Sequence, residues 1–590
     1  MSDIALARPR EAAVPGAPLV TLGAALLVIA VAFALSWYIR GAWDYPAAYI
    51  IPFADWINVV MLWVKSTFTV ITRAIAAIIN VPLQIAFALL AKGAKFNIGG
   101  EVWQMPRLSW LGVCAAAAII GHALGGMRLA LVGGLGFLYI AFFGQWDSSM
   151  LTLALILVCV PICVVTGLLI GILGYLSPAL NRLVIMPALD LLQTIPTFAY
   201  LIPMLLLFGN SPVSALLATG LFATPPMVRA TVLGLTKVPQ EIRDFADMAG
   251  CTFRQKLWRV LVPSAKPSLM IGVNQVIMLA LNMVIISSMI GAGGLGYDVL
   301  LALRALKLGH AMEAGIAIVV LAIVLDRLSQ AAAARKPEQQ SLAHLPLVQR
   351  YPHAALAIAV LLATTLLSLA APALNDIPQS WTVTTAPAWK AGVDWINLHF
   401  FDAIEYMRVG FLIYVLNPLR AFFEGLPWLG VVLVLAVAGY RLGAFWLALV
   451  VALLAAFCAV TGLWVQTMAT LYLCGAAAFI AAVLGIPIGL AASRSDRVEK
   501  IVTPIIDTLQ TIPMFCFIIP AVMLFRIGDV TALIATVAFA IVPAIRYTNY
   551  GIRQVPHELI EAGIASGCTR SQLFRRVQLP IALPEIMLGL

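Results

Sequence analysis

The chain has 590 residues, 62% hydrophobic and 11% charged, with a mean hydropathy of +1.01. That composition excludes an ordinary soluble domain and fits a polytopic membrane protein. A net charge of +10 would point to nucleic acid in a soluble chain, but here Lys and Arg fall between apolar runs, where retention of basic loops in the cytoplasm accounts for them.

Several apolar runs exceed the ~18 to 20 residues that a membrane helix needs. They lack the period-2 alternation of a membrane barrel, so an all-α fold is predicted. Arg8 and Arg10 precede a run over 19–39 that is too long for a signal-peptide core. It predicts an uncleaved first span, within a segment 1–44 whose N-terminus is cytoplasmic. Over 45–107, Trp56, Val59, Val60, Trp63 and Val64 recur at helical spacing beside Lys65, Arg73 and Lys92. The pattern predicts amphipathic helices at the outer surface of the membrane, with a further buried span carrying a few snorkelling lysines as the alternative. Spans follow over 108–124, 129–143, 150–176, 187–208 and 213–235. A polar hairpin over 239–263 and spans over 269–290 and 310–328 complete a first unit, 45–328.

A cytoplasmic linker over 329–352, with Arg335, Lys336 and Pro337, leads to a second unit over 353–590. There Asp55, Trp56, Ile57 and Asn58 reappear as Asp394, Trp395, Ile396 and Asn397, within outer amphipathic helices over 388–425. Spans are predicted over 354–369, 429–440, 442–460, 467–492, 501–525 and 530–545, with a second hairpin over 556–580. Residues 187–273 align without a gap on 504–590, at a constant offset of 317. About 14 spans result, with an even number between equivalent points, so the repeats run parallel. Nothing in the second unit corresponds to Asn274 through Leu328, which predicts a longer complete chain of ~650 residues.

The hairpins interrupt the apolar pattern with a shared local grammar. Pro239 and Pro556 suit a first helical turn. Gly250 and Gly567 suit the left-handed position that ends a helix. Thr252 with Gln255, and Thr569 with Gln572, fit capping boxes that start the next helix, which stops near Pro263 or Pro580. Ile242, Phe245, Ala246, Ala249, Phe253, Leu257 and Val260 predict an apolar ridge suited to a partner's groove. The eight cysteines, including Cys251 and Cys568, lack metal-ligand spacing and predict no metal site. Gly291, Gly293 and Gly296 match a dinucleotide-binding glycine pattern, but no strand precedes them.

Glu561, Ala562, Gly563, Gly567, Leu579 and Pro580 resemble the cytoplasmic loop of permease subunits in binding-protein-dependent ABC importers. Asp244, Phe245, Ala246, Gly250, Val262 and Pro263 form a degenerate first copy. Residues Asn274 and Gln275 through Met289, Gly293 to Gly296, and Asp326 to Leu328 resemble the glycine betaine/proline permeases of the compatible-solute class, as does Asp190 to Pro196. The resemblance implies two fused permease units with a type I importer-like fold in a bacterial inner membrane. It implies ATPase-coupling residues at Asp244, Phe245, Ala246, Gly250, Thr252, Gln255, Leu257 and Pro263, and at Glu561, Ala562, Gly563, Gly567, Thr569, Gln572, Phe574 and Pro580. The partners implied are two cytoplasmic ATP-binding subunits, which hold the ATP and Mg, and a periplasmic solute-binding protein; the chain itself, lacking a phosphate-binding loop, is neither an enzyme nor a cofactor carrier.

Asp190, Thr194 and Pro196, repeated as Asp507, Thr511 and Pro513, lie on helices that proline should kink, and with Asn282 they are candidate pathway or gating residues. Capping or interhelical hydrogen bonding is the simpler role for the two aspartates. The function expected is ATP-driven import of small osmolytes such as glycine betaine, proline, choline or related methylated amines. The alternative, an ion-coupled secondary transporter or channel for a small amine, would require buried carboxylates or other ionisable groups near mid-membrane, which the sequence nearly lacks.

Overall fold

The computed structural model describes residues 30–31, 34, 43–98, 101–334 and 351–590. The predicted span over 19–39 and most of the predicted linker lie outside the described residues. Among those described, nine helices are long and apolar enough to cross a membrane, or ten if one bent pair counts as a span.

Two of the nine reverse upon themselves. Within Trp110–Phe142, Gly125 and Gly126 leave helical geometry, with φ of −146° and +71°. A Cβ on Gly121 would lie 2.5 Å from the carbonyl oxygen of Leu129, and one on Gly133 would lie 2.9 Å from that of Ala117. In a straight helix these pairs would be roughly 12 and 24 Å apart, so two antiparallel arms touch. Trp428–Val460 repeats the reversal at Gly443 and Ala444, with Gly439 packed on Ala448. The first reversal falls between the runs predicted over 108–124 and 129–143, whereas the second falls just inside the run predicted over 442–460.

The predicted span over 187–208 is not continuous. Pro196 lacks an N–H and disfavours helical geometry at the residue before it, and Ile195 is extended at ψ 127°. The helix therefore breaks rather than kinks, and Pro178–Thr194 meets Thr197–Phe208 at 110°. Ile512, before Pro513, is extended in the same way at ψ 124°. Over 45–107, where several surface helices were expected, a single 35-residue helix runs from Phe53 to Phe87. The segment Ala47–Lys92 is long and apolar enough to span, but only Leu83 and Phe87 of the Phe53–Phe87 helix are buried, so it is not the buried span of the alternative reading. A two-stranded antiparallel ribbon then pairs Ala94–Ile98 with Glu101–Met105, a small exception to the all-helical pattern.

Packing divides the described chain into two compact units that cut across the repeats. In one, formed by the described residues up to Leu62 with Glu405–Ile480, the amide of Ile51 donates to the carbonyl of Val460 at 2.9 Å. Phe53 stands edge-on to Phe457, with ring centroids 4.8 Å apart. The other unit, Trp63–Ile404 with Ala481–Leu590, holds the main core, including Trp110, Phe137, Ile140, Met150, Val276, Leu295 and Ile318. Here the helix Pro352–Ser368 and the segment after it pack on the Trp110–Phe142 hairpin. The Trp110 indole donates to Ala373 at 3.0 Å, Ser109 to Leu374 at 2.6 Å, and the Val383 amide to Phe142 at 2.8 Å. Each reversed hairpin thus carries a lead-in segment from the opposite repeat.

Small residues set the helix spacing in both repeats. A Cβ on Gly171 would lie 2.4 Å from the Cβ of Thr231, and one on Gly489 would lie 2.7 Å from that of Thr548. Without buried water to expel, membrane helices gain stability from this close backbone contact.

Candidate functional site: the paired hairpins and the repeat interface

The first hairpin opens with the helix Gln240–Met248, preceded by Pro239 in extended geometry at ψ 144°. Pro239 and Pro556 are therefore N-caps, one position earlier than predicted. Gly250 ends the helix at φ +67°, with its amide donating to Asp247 at 3.0 Å and that of Cys251 to Ala246 at 3.1 Å. This is the paired bonding of a Schellman motif, which satisfies carbonyls left over at a helix end. In the second copy Gly567 adopts φ +76°, and the corresponding bonds run from Gly567 to Ile564 at 2.9 Å and from Cys568 to Gly563 at 3.1 Å.

The turn passes directly into a reciprocal capping box. The amide of Thr252 donates to Gln255 Oε1 at 2.8 Å, and the amide of Gln255 donates to the Thr252 hydroxyl at 3.4 Å. Thr569 and Gln572 repeat these bonds at 2.9 and 3.3 Å. With Pro263 and Pro580 both in the first turn of the segments that follow, each hairpin is a short helix, a fixed turn and a second short helix. The backbone groups at each corner are thus held by the turn and by the capping box.

The two hairpins are braced differently. In the first, the ammonium of Lys256 bridges both carboxylate oxygens of Asp247 at 2.6 and 2.7 Å, and Arg243 donates to the carbonyls of Leu235 and Thr236 at 2.9 and 2.7 Å. In the second, Leu573 replaces Lys256, and Gly563 makes room for it: a Cβ there would lie 2.5 Å from a Leu573 methyl. Asp244 accepts from Gln240, and Glu561 faces His557.

Leu257 does not belong to the outward ridge. It is buried at 5% exposure in the main core, and its equivalent Phe574 lies half-buried beneath the guanidinium of Arg494, 4.6 Å from the ring centroid. Ala246 is likewise buried. At helical spacing these residues form the inward stripe, while Phe245, Met248 and Phe253 face outward in the first hairpin, as Leu559 and Ile564 do in the second. Phe245 is 68% exposed where the second copy has Ala562.

The aspartates singled out in the sequence are ion-paired. Asp190 accepts from Arg229 at 2.5 Å and Asp507 from Arg546 at 2.5 Å. The arginines share the same offset of 317, so the ion pair is repeated with the duplication. Thr194 and Thr511 turn back on carbonyls of their own helices, at 3.0 and 2.7 Å, just before the breaks. Asn282 and Thr511 come together, with Asp326 and Gln510, around a cavity of about 10 Å³; Asp190, Thr194 and Pro196 do not join them.

Two buried carboxylates, Glu313 and Asp326, stand towards opposite ends of the apolar helix Leu308–Ala334. Glu313, 3% exposed, accepts from Thr384, from the Thr385 hydroxyl and amide, and from the Ala386 amide at 2.7 Å. It caps the helix Ala386–Phe411 from another element, where the helix dipole favours negative charge.

Residues 164–336 and 481–590 match the family described as binding-protein-dependent transport system inner membrane component, one match for each hairpin. The trimethylamine N-oxide transport system permease protein of Ruegeria pomeroyi is 35% identical over 98% of this chain and 87% of its own length. The chain belongs to this permease family. The glycine betaine transport system permease protein of Bacillus subtilis is 37% identical, with 94% of its length covering 48% of the permease. A glycine betaine/proline betaine permease of Escherichia coli is 43% identical over 38% of the permease and 64% of its own length. One relative fits into about half of the chain, so the permease carries two fused units.

Proposed function

We propose that the permease is the membrane-spanning subunit of an ATP-driven, binding-protein-dependent importer of methylated-amine osmolytes, with trimethylamine N-oxide and glycine betaine foremost. Similarity over nearly the whole chain to a relative named for trimethylamine N-oxide transport carries this reading. The two hairpins are its coupling elements: two ATP-binding subunits seat on the outward residues Phe245, Met248, Phe253, Leu559 and Ile564, on the cytoplasmic side of a bacterial inner membrane, with the N-terminus on that side. Their Schellman turns and capping boxes support a rigid lever. ATP drives the cycle through its differential affinity for two arrangements of the repeats. A periplasmic binding protein supplies the solute and most of the selectivity, using aromatic faces for the methylated cation. The test is to purify that binding protein and measure its affinity across trimethylamine N-oxide, glycine betaine, proline, choline, a sugar and a divalent metal. Tight binding to a methylated amine is expected, and tight binding confined to the sugar or the metal would refute it.

A further inference from the structure

Asp326 is a buried carboxylate to which hairpin coupling gives no task. It lies on the helix Leu308–Ala334 and is 4% exposed. Both of its oxygens accept from the side-chain nitrogen Nε2 of Gln330, at 2.9 and 2.8 Å. Among the described residues it takes part in no ion pair, whereas Asp507, on the facing helix, is neutralised by Arg546 at 2.5 Å. A carboxylate inside a membrane span is costly unless a cation or a water-filled path meets it. Asp326 is therefore the carboxylate at this junction without a direct ion-pair partner among the described residues, the nearest cation along the chain being the adjoining Arg327.

Its surroundings come from both repeats. Asn282 and Met278 approach from the helix Lys266–Ile290, and Gln510 and Thr511 from the second repeat, immediately before the break at Ile512 and Pro513. Together they leave about 10 Å³, room for roughly one water molecule. Separation of the two repeats at the broken helix would enlarge this space and uncover the carboxylate in the same movement.

We infer that Asp326, with Asn282, Gln510 and Thr511, forms a transient site for the methylated ammonium group of the solute between the repeats, an inference that rests on the proposed solute class. A fully methylated nitrogen has no N–H to donate, so it is held by charge and by contact with its methyl groups rather than by directed hydrogen bonds. One carboxylate beside the thioether of Met278 supplies both. The cavity, about 10 Å³, is too small for a trimethylated group, so the site forms only when the repeats part, and their return expels the solute. A site tied to one of two arrangements releases its ligand because its affinity differs between them.

The permease, its ATP-binding subunits and the binding protein are reconstituted in proteoliposomes as wild type, Asp326→Asn and Asp326→Glu. Asparagine keeps the shape and an acceptor for Gln330 but removes the charge. Uptake of glycine betaine or trimethylamine N-oxide should fall about tenfold in Asp326→Asn, while ATP hydrolysis stimulated by loaded binding protein stays within about twofold and Asp326→Glu recovers part of the uptake. Uptake above half of the wild-type rate in Asp326→Asn overturns the site. So does an equal fall in hydrolysis and uptake, which a purely structural residue would give. Should Asp326→Asn fail to assemble, Thr511→Val decides on the same two readouts, with about a threefold loss of uptake alone expected. Wild-type vesicles that import no methylated amine refute the proposed function, whereas normal wild-type import with an unaffected Asp326→Asn refutes only the site.

Discussion

Gly567 offers a perturbation whose effect must come through the backbone. Its φ is +76°, and a Cβ placed on it would meet nothing within 4 Å, so a new side chain brings strain without collision. Left-handed geometry costs an L-residue about 1–2 kcal/mol, least for Asn and most for a β-branched side chain. Alanine should therefore lower the ratio of formed to frayed turn about fivefold, and valine about thirtyfold. The bonds lost with it are those from Gly567 to Ile564 and from Cys568 to Gly563. In proteoliposomes holding the full complex, uptake should rank Gly, Asn, Ala, Val, and amide exchange over 563–568 should accelerate in the same order. Gly250, at φ +67° with equally open surroundings, should give a parallel series. Valine at position 567 with unchanged uptake and unchanged amide protection would refute a rigid corner as the coupling device.

Phe245→Asp should weaken retention of the ATP-binding subunits more than Ala562→Asp, because 68% of the Phe245 surface is exposed and about 2 kcal/mol of apolar burial is at stake; co-purification yields at graded salt measure the difference. Glu313→Gln keeps an oxygen for its donors and should cost about 1–2 kcal/mol, whereas Glu313→Ala strands four of them and should cost about 3 kcal/mol or more, read as loss of thermal stability in detergent and faster amide exchange at Ala386. Gly489→Val should destabilise by about 1–3 kcal/mol through overpacking against Thr548, while Gly475→Val, with open space around it, should leave the melting temperature unchanged.

The elements that local chemistry dictates were legible in the sequence. Thr252 with Gln255 and Thr569 with Gln572 name their capping partners by spacing alone, and Gly250 and Gly567 can end a helix where few other residues can. Non-local partners were not legible. Arg229 and Arg546 sit 39 residues after their aspartates, and only a comparison of the two repeats could have linked them. Leu257 looked outward because helical periodicity gives a face but not its direction, and the core decides which face turns in. Proline in a membrane helix often only bends it, but at Pro196 the preceding Ile195 also leaves helical geometry and the helix breaks. Gly99 and Gly100 between short alternating runs are a hairpin signal in the sequence, and the strands Ala94–Ile98 and Glu101–Met105 on either side of them are paired. Glu313 and Asp326 were hidden by the apolar runs that contain them.

The bond from Ile51 to Val460 has a consequence for synthesis. The acceptor emerges from the ribosome about 400 residues after the donor, an interval of roughly 20–80 s at ordinary elongation rates. Throughout that interval the start of the Phe53–Phe87 helix lacks the ring of Phe457 and the backbone that later holds it. The first repeat therefore cannot finish folding before most of the second has been made. Fusion into one chain guarantees that the late-arriving hairpin is always present at the same place in the bilayer, where two separately translated halves would first have to find each other by lateral diffusion.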